Sequence, residues 1–331
     1  MRRTEVRPGR QSVLDRWIIV GGCPRSGTTL LGNALGAADG VIVTPEAQFA
    51  SDAFRALTSG RLAPATEDII GYLINHWRYR IWNDPVPTDW PDVSACRDKH
   101  AVCARLISHI VRQHARLRGC AGATVWVDHT PEHLGRSPDL VKSGIALSAV
   151  HLIRDGRGVA ASMRGVDWGP RDAAALAHWW LAQLAQGLAA EQCVATDTCV
   201  RAHFEDLVAD PARSLETICD ALDLSFSSAM LSSRALKLVA YTQAQHRAVG
   251  LKADQARATA WQQCLGARDQ EVFEHIAGDA LAMLGYPLGY SQPRPRSRME
   301  TLIAHLQDNA VRRRMVKWRR RRRRTRSLAS A

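Results

Sequence analysis

The segment Trp17-Ile-Ile-Val-Gly-Gly-Cys-Pro-Arg-Ser-Gly-Thr-Thr-Leu-Leu31 constrains the fold more than any other part of the chain. The apolar run Trp17–Val20 reads as a short buried strand. A glycine loop follows, and a helical pattern starts near Gly27-Thr28. A buried strand feeding directly into a helix is the building unit of a parallel sheet covered by helices. Glycines let backbone N–H groups converge on one point, and a helix N-terminus adds partial positive charge. Thr28 and Thr29 add hydroxyl donors, so the loop reads as an anion cradle. Gly22 to Gly27 gives the spacing GxxxxG, but the next residue is Thr28, where a nucleoside-triphosphate loop carries Lys. The cation sits inside the loop instead, at Arg25. This substitution weighs against an ordinary ATPase or kinase.

Three further apolar runs repeat the pattern: Thr124–Val127, Leu147–Ile153 and, more weakly, Val41–Val43. Each is followed by a polar turn and a helical pattern. The expected fold is α/β, a P-loop-like, mainly parallel sheet flanked by helices. Residues 51–119 read as a mostly helical insertion able to cover a site, broken by Asp84-Pro85-Val86-Pro87 and Trp90-Pro91. Asp172–Ala190, Pro211–Leu222 and Trp261–Leu284 read as helices, and Pro293-Arg294-Pro295-Arg296 as a linker. Residues 1–292 are therefore expected to form one α/β domain, followed by a basic tail over 293–331.

Charge follows the same division. The 331 residues carry 44 Lys/Arg and 32 Asp/Glu, a formal excess of +12. From Arg294 onward there are fourteen bases and two acids, so the tail accounts for the whole excess. A formally neutral body excludes a globally basic nucleic-acid-binding domain. In the tail, Met299, Leu302, Ile303, Leu306 and Ala310 share one face at helical spacing, and arginines interrupted by Met315-Val316 and Trp318 follow. A basic amphipathic segment with Trp fits an anionic membrane surface; a polyanion or a solvated tail stays open, and nucleic acid is not the expected partner. No apolar run approaches the ~20 residues that span a bilayer. The eight cysteines are scattered with no CxxC pair, which gives neither a thiolate metal site nor a disulfide framework. The expected location is cytoplasmic, with membrane association through the tail.

A second segment bears on the first. Val150-His-Leu-Ile-Arg-Asp-Gly-Arg-Gly-Val-Ala-Ala-Ser-Met163 again runs from strand to turn to helix. Arg154 falls at the carboxyl end of the strand, where ligands bind in open α/β sheets. Ser162 lies eight residues on, about two helical turns into the next element. The two converge on one phosphate if that helix packs back toward the crevice.

Together these segments resemble the sulfotransferase family, whose donor is 3′-phosphoadenosine 5′-phosphosulfate (PAPS). Pro24-Arg25-Ser26-Gly27-Thr28-Thr29 is similar to the family's 5′-phosphosulfate loop, in the form seen in bacterial sulfotransferases and tyrosylprotein sulfotransferases. The resemblance implies that Arg25 meets the phosphosulfate near its bridging oxygen and that Ser26, Gly27, Thr28 and Thr29 hold the 5′-phosphate. Arg154 and Ser162 resemble the family's 3′-phosphate pair, at the same spacing. The implied reaction is in-line transfer of the sulfuryl group to an acceptor hydroxyl, with release of adenosine 3′,5′-bisphosphate (PAP) and no metal. The insertion over 51–119 would then lie on the acceptor side. A carbohydrate, a glycolipid, another alcohol or a phenol all remain open as acceptor.

Two residues compete as proton acceptor. Glu46 follows Val41-Ile-Val-Thr-Pro and matches a region where related enzymes place a catalytic Glu; Thr44 as N-cap and Pro45 at the first helical position also make it a helix start. His129, in Val127-Asp-His-Thr-Pro131, stands where the family's Lys-Thr-Pro stretch has a donor-contacting Lys; a neutral ring there can serve as base and a protonated one as a replacement cation, and a histidine of the helix-capping region with no role in the chemistry is the competing reading. His203-Phe-Glu-Asp-Leu207 resembles the family's Tyr-Glu-Asp-Leu stretch, and its acids read as structural. Trp261 and Gly285-Tyr286 also resemble family positions, and the loop Gln245–Lys252 offers Arg247 and Lys252 as candidates to reach the donor. Two rival readings stand: a P-loop-type kinase, and a degenerate domain acting as a membrane-tethered binding module.

Overall fold

A computed structural model describes residues 14–96, 98–166, 168–194, 198–232 and 256–307. Its centre is a parallel sheet of β1 (Arg16–Gly21), β2 (Val41–Val43), β3 (Val125–Asp128), β4 (Ala146–Ile153) and β5 (Cys199–His203). The strand order is β2-β3-β1-β4-β5. A parallel sheet needs both faces covered, and strand β1 shows how its sequence meets that need. Trp17 and Ile19 point into one apolar core, while Ile18 and Val20 point into another on the opposite face. All four are fully buried, each worth about 1.5–3 kcal/mol relative to exposure. Register places Trp17 beside Trp126 of β3, and the two rings stack at 4.3 Å.

The chain leaves β1 toward β2 on one side and leaves β3 toward β4 on the other. Since β1 and β3 are neighbours, a crevice opens beyond their carboxyl ends, the usual ligand position in open α/β sheets. Helix α1 (Thr28–Leu35) follows β1 and packs on the Ile18/Val20 face.

The insertion takes in most of α2 (Gln48–Thr58), which begins just before it, and all of α3 (Thr66–Asn75), α4 (Trp77–Arg80) and α5 (Lys99–Leu117). It shares the Trp17/Ile19 core through Phe49, Phe54, Leu73, Trp82, Leu106 and Ile110. The proline-rich break is fastened to α5, because buried Asp84 pairs with His114 at 2.5 Å. One local expectation is corrected here. Thr44-Pro45-Glu46 does not start a helix: α2 begins at Gln48 with Ala47 at its N-cap. The Thr44 hydroxyl instead accepts the Trp126 indole N–H at 2.9 Å, which leaves it unavailable as a cap.

After β3 come a 3₁₀ segment, Pro131–Arg136, and α6 (Ser137–Leu140). Helix α7 (Gly156–Met163) follows β4, and α8 (Ala173–Glu191) packs beside it with Trp180 and Leu184 buried. Helices α9 (Phe204–Ala209) and α10 (Pro211–Ala221) follow β5. The late helical stretch is broken at Leu265-Gly266, giving helices Trp261–Cys264 and Ala267–Met283.

The first residues past 292 are tied to the body. Arg294 pairs with Glu271 at 2.8 Å, Arg268 with Glu300 at 2.7 Å, and Arg296 with Asp172 at 2.9 Å. The helix Arg298–Gln307 then exposes Met299, Leu302 and Ile303. The arginine run beyond it, and the 245–252 loop with Arg247 and Lys252, lie outside the described residues. Among the described residues no helix is long and apolar enough to cross a membrane.

Candidate active site

Two strand-to-helix turns meet at the crevice. The first, between β1 and α1, is tightly constrained. Gly22 and Gly27 have φ of 144° and 99°, and a Cβ on Gly27 would fall 2.6 Å from the Phe204 ring. Arg25 adopts φ 79° without being glycine, a conformation that costs of order 1–3 kcal/mol and concentrates at ligand sites. Gly27 caps α1 with no side-chain hydrogen bond, so the first-turn amides of the helix have no side-chain partner from the cap.

The second turn, between β4 and α7, carries Arg154. Its neighbour Asp155 does not pair with it, because Arg157 takes both carboxylate oxygens at 3.0 and 2.8 Å. Arg157 is itself buried, held also by Glu274 at 2.6 Å and by the Pro287 carbonyl at 2.9 Å. Asp155 N–H donates to Glu205 at 3.0 Å, and Tyr286 O–H donates to the other Glu205 oxygen at 3.0 Å. Glu205 thus belongs to a structural frame, as its place in the strand-to-helix junction implied. Within that frame Arg154 is left to face the crevice. Its guanidinium lies 4.2 Å over the Phe204 ring, and its buried Nε has no hydrogen-bond partner.

The turns are joined directly. Arg154 Nη1 donates to the Arg25 carbonyl at 2.9 Å, and Arg25 Nε donates to Ser162 Oγ at 3.1 Å. Together they border a cleft of about 360 Å³, within the range of small-ligand sites. Arg25, Gly27, Thr28 and Thr29 line it from the first turn, and Arg154 and Ser162 from the second. Glu46 lines it from the β2 side; Phe204, Arg257 and Trp261 complete the wall. Arg157 backs this wall, its guanidinium 4.1 Å over the Trp261 ring.

Burial pushes the Arg25 pKa down, with the Glu46 carboxylate opposing. Burial also brings Arg154 down to about 10, with Glu205 opposing and Arg25 adding repulsion. Both stay charged at neutral pH. Two desolvated guanidinium groups at one cleft are costly unless an anion compensates them.

Two expected site residues stand apart from the cleft. Ser26 is fully buried beneath the loop, its amide donating to the Cys23 carbonyl at 3.1 Å. His129 is buried against α1, where a Cβ on Gly32 would fall 2.6 Å from the His129 Cβ. Burial lowers its pKa, with Glu46 and Asp128 opposing, so the ring is neutral at physiological pH. Neither residue lines the cleft.

Sequence reasoning missed four parts of the site. Phe204 lies in the His203–Leu207 stretch, yet its role as a platform for Arg154 depends on β5 lying beside β4. Arg157 carries no local signal of its role, because its partners Glu274 and the Pro287 carbonyl are far away in sequence. Arg257 had no local signal. Arg78 and Gln48 bind Glu46 at 3.0 and 2.9 Å; Arg78 comes from the insertion and Gln48 from just before it, and neither belongs to a readable motif.

A family model for the sulfotransferase family matches residues 18–228, more than half of the chain and both turns. No curated protein matches. Among solved structures the chain is similar to the sulfotransferase domain of the Synechococcus PCC 7002 olefin synthase, at 22% identity, 85% coverage of this chain, 98% of that one and a TM-score of 0.52. It is also similar to the sulfotransferase domain from the curacin biosynthetic pathway, at 16% identity, 82% and 98% coverage and a TM-score of 0.49. Sulfotransferase STF9 from Mycobacterium avium aligns at 13% identity, 83% and 78% coverage and a TM-score of 0.43. The olefin synthase likeness speaks for the fold, and the match over residues 18–228 decides the rest: this chain belongs to the sulfotransferase family.

Proposed function

We propose that this chain uses PAPS as donor and transfers its sulfuryl group to an acceptor hydroxyl. The observation that carries the reading is the junction of the two turns, Arg154 to Arg25 to Ser162, which sets two half-buried guanidinium groups on one cleft. A donor with a 5′-phosphosulfate and a 3′-phosphate presents two anionic groups on one ribose, and two adjoining cationic turns suit it. The partnerless Arg154 Nε and the uncapped start of α1 fit such a ligand.

In this reading Gly27, Thr28 and Thr29 hold the 5′-phosphate, with Ser26 supporting the loop from beneath. Arg154 and Ser162 hold the 3′-phosphate. Arg25 stabilises charge on the oxygen that leaves with PAP; its planar fork suits phosphate oxygens. Glu46 takes the proton of the acceptor hydroxyl. His129, neutral and behind α1, keeps no contact role. The donor supplies the sulfuryl group and departs as PAP. The acceptor is a carbohydrate, glycolipid, other alcohol or phenol brought to the Glu46 side.

Calorimetric titration of PAP and of 5′-AMP tests the donor assignment, since the two ligands differ only in the 3′-phosphate. PAP should bind far more tightly to the wild type, and Arg154→Ala should abolish the difference. Equal binding of both ligands would return the kinase and scaffold readings to the front.

For the tail we propose an anionic membrane surface as partner. The helix Arg298–Gln307 exposes Met299, Leu302 and Ile303, and eleven Lys/Arg follow between 312 and 326. Each cation near such a surface contributes about 1 kcal/mol at most. Because Arg294 and Glu300 are tied to the body, the informative truncation falls after Gln307. The full chain should sediment with anionic but not zwitterionic vesicles, and the truncated chain with neither. Equal sedimentation of the two chains would remove the tail from the reading.

A further inference from the structure

We propose that Arg78, a residue of the helical insertion, is the positioning residue that keeps Glu46 ionised and aimed into the cleft. The inference rests on the reading of Glu46 as base, and it assigns to the insertion a direct hand in the chemistry.

The geometry is specific. Arg78 Nη1 meets Glu46 Oε2 at 3.0 Å, with the two side chains only 15% and 16% exposed. Gln48 Nε2 donates to the same oxygen at 2.9 Å. Trp82 Nε1 donates to the Glu46 carbonyl at 3.2 Å, so the backbone is held as well. Two of these three donors come from the insertion: Arg78 from α4 and Trp82 from just past it. Arg78 is in turn fixed in place. Its guanidinium lies 4.3 Å over the Trp77 ring, and its backbone N–H donates to His76 Nδ1 at 3.2 Å.

The charges around Glu46 make this contact consequential. Arg25 faces it from the β1–α1 turn, and Glu132 faces it from the 3₁₀ segment, linked through Gln48 Nε2. His129 lies behind it and is neutral. Arg25 and Arg78 favour the carboxylate; Glu132 opposes it. A polyanionic donor then arrives beside Arg25. Its charge screens that guanidinium and repels the Glu46 carboxylate, raising the pKa at the moment a base is required. Arg78 lies on the insertion side of Glu46, so its support persists when the donor is bound.

The test needs no knowledge of the acceptor. Protein labelled with δ-13C-glutamate is titrated by NMR with PAP bound, and the Glu46 signal is assigned by its loss in Glu46→Gln. In Arg78→Gln the Glu46 pKa should rise by about one unit or more, and Arg78→Lys should restore most of the shift. PAP affinity, followed calorimetrically, should stay within a few-fold of wild type in both variants. A Glu46 pKa unmoved in both variants overturns the proposal. Failure of the underlying reading is separable: it shows as Glu46→Gln hydrolysing PAPS to PAP, with water as acceptor, at the wild-type rate while the carboxyl shift still appears.

Discussion

The two turns that meet at the cleft solve the same task with opposite means. The β1–α1 turn keeps its donors available by omission: glycines at 22 and 27, no capping side chain and a strained Arg25 leave space where an anion fits. The β4–α7 turn works by saturation. Asp155, Arg157, Glu274 and Glu205 satisfy one another almost completely, and Arg154 is what they leave over. A turn that binds through backbone amides must be empty of side chains. A turn that binds through a guanidinium must supply every other charge with a partner, or the binding arginine would collapse onto the nearest acid.

The comparison breaks first at Arg157. Removing its guanidinium strands the Asp155 and Glu274 carboxylates, 5% and 1% exposed. Breaking a buried pair of this kind costs about 3–5 kcal/mol. Urea unfolding of Arg157→Ala should show that loss, and Arg157→Lys should recover little, since an ammonium cannot satisfy Asp155 through two donors. A loss under 1 kcal/mol would mean that the frame does not hold the turn. Arg25→Ala is the counterpart in the other turn. Loss of one preorganised charge partner in a transfer site is worth about 10²–10³ in rate. The substitution relieves none of the strain at residue 25, because alanine is as disfavoured as arginine at φ 79°, so no gain in stability should accompany the loss of rate. A rate within tenfold of wild type, in a hydrolysis or transfer assay, would move the charge-stabilising role elsewhere.

Gly27→Ala sharpens the contrast. Its Cβ meets the Phe204 ring at 2.6 Å in a conformation that L side chains rarely adopt. Strain of this order costs about 1–3 kcal/mol. Phe204 also carries Arg154, so the substitution should weaken PAP binding as well as lower the unfolding midpoint. Loss of stability with PAP affinity intact would uncouple the two turns.

The same contrast explains what the sequence could reveal. Strands β1 to β4 and the helices α8 and α10 were readable because apolar period and turn residues are local signals. Arg25, Thr28, Thr29, Arg154 and Ser162 were readable because glycine spacing and an arginine at a strand end are local too. Arg157's frame was not, since its partner Glu274 lies 117 residues away. Arg78 was hidden for the same reason: nothing near it in sequence announces Glu46. The misread start of α2 shows the converse. Thr44-Pro45-Glu46 has good local helix-start chemistry, and a tertiary hydrogen bond from Trp126 overrides it.

Acid pH probes the support behind the β4 turn. Glu191, at the end of α8, accepts from buried His151 of β4 at 2.5 Å and pairs with Arg201 of β5. Burial alone would raise its pKa, but the bonds from His151 and Arg201 outweigh it and bring Glu191 down to about 2. In the unfolded chain a glutamate titrates near 4.3. The folded value is the lower one, so this contribution is fully present above the unfolded pKa and is lost as pH falls through the folded one. With its partial solvent exposure the pair is worth about 1 kcal/mol after screening. Urea midpoints of wild type and Glu191→Gln should therefore differ at pH 7 and converge between pH 4 and pH 2. A difference that persists undiminished at pH 2 would show that Glu191 acts through packing rather than charge. The β4 side would then be held by shape, as the glycine-lined β1 side is, and the contrast between the turns would narrow to Arg157 and its two acids.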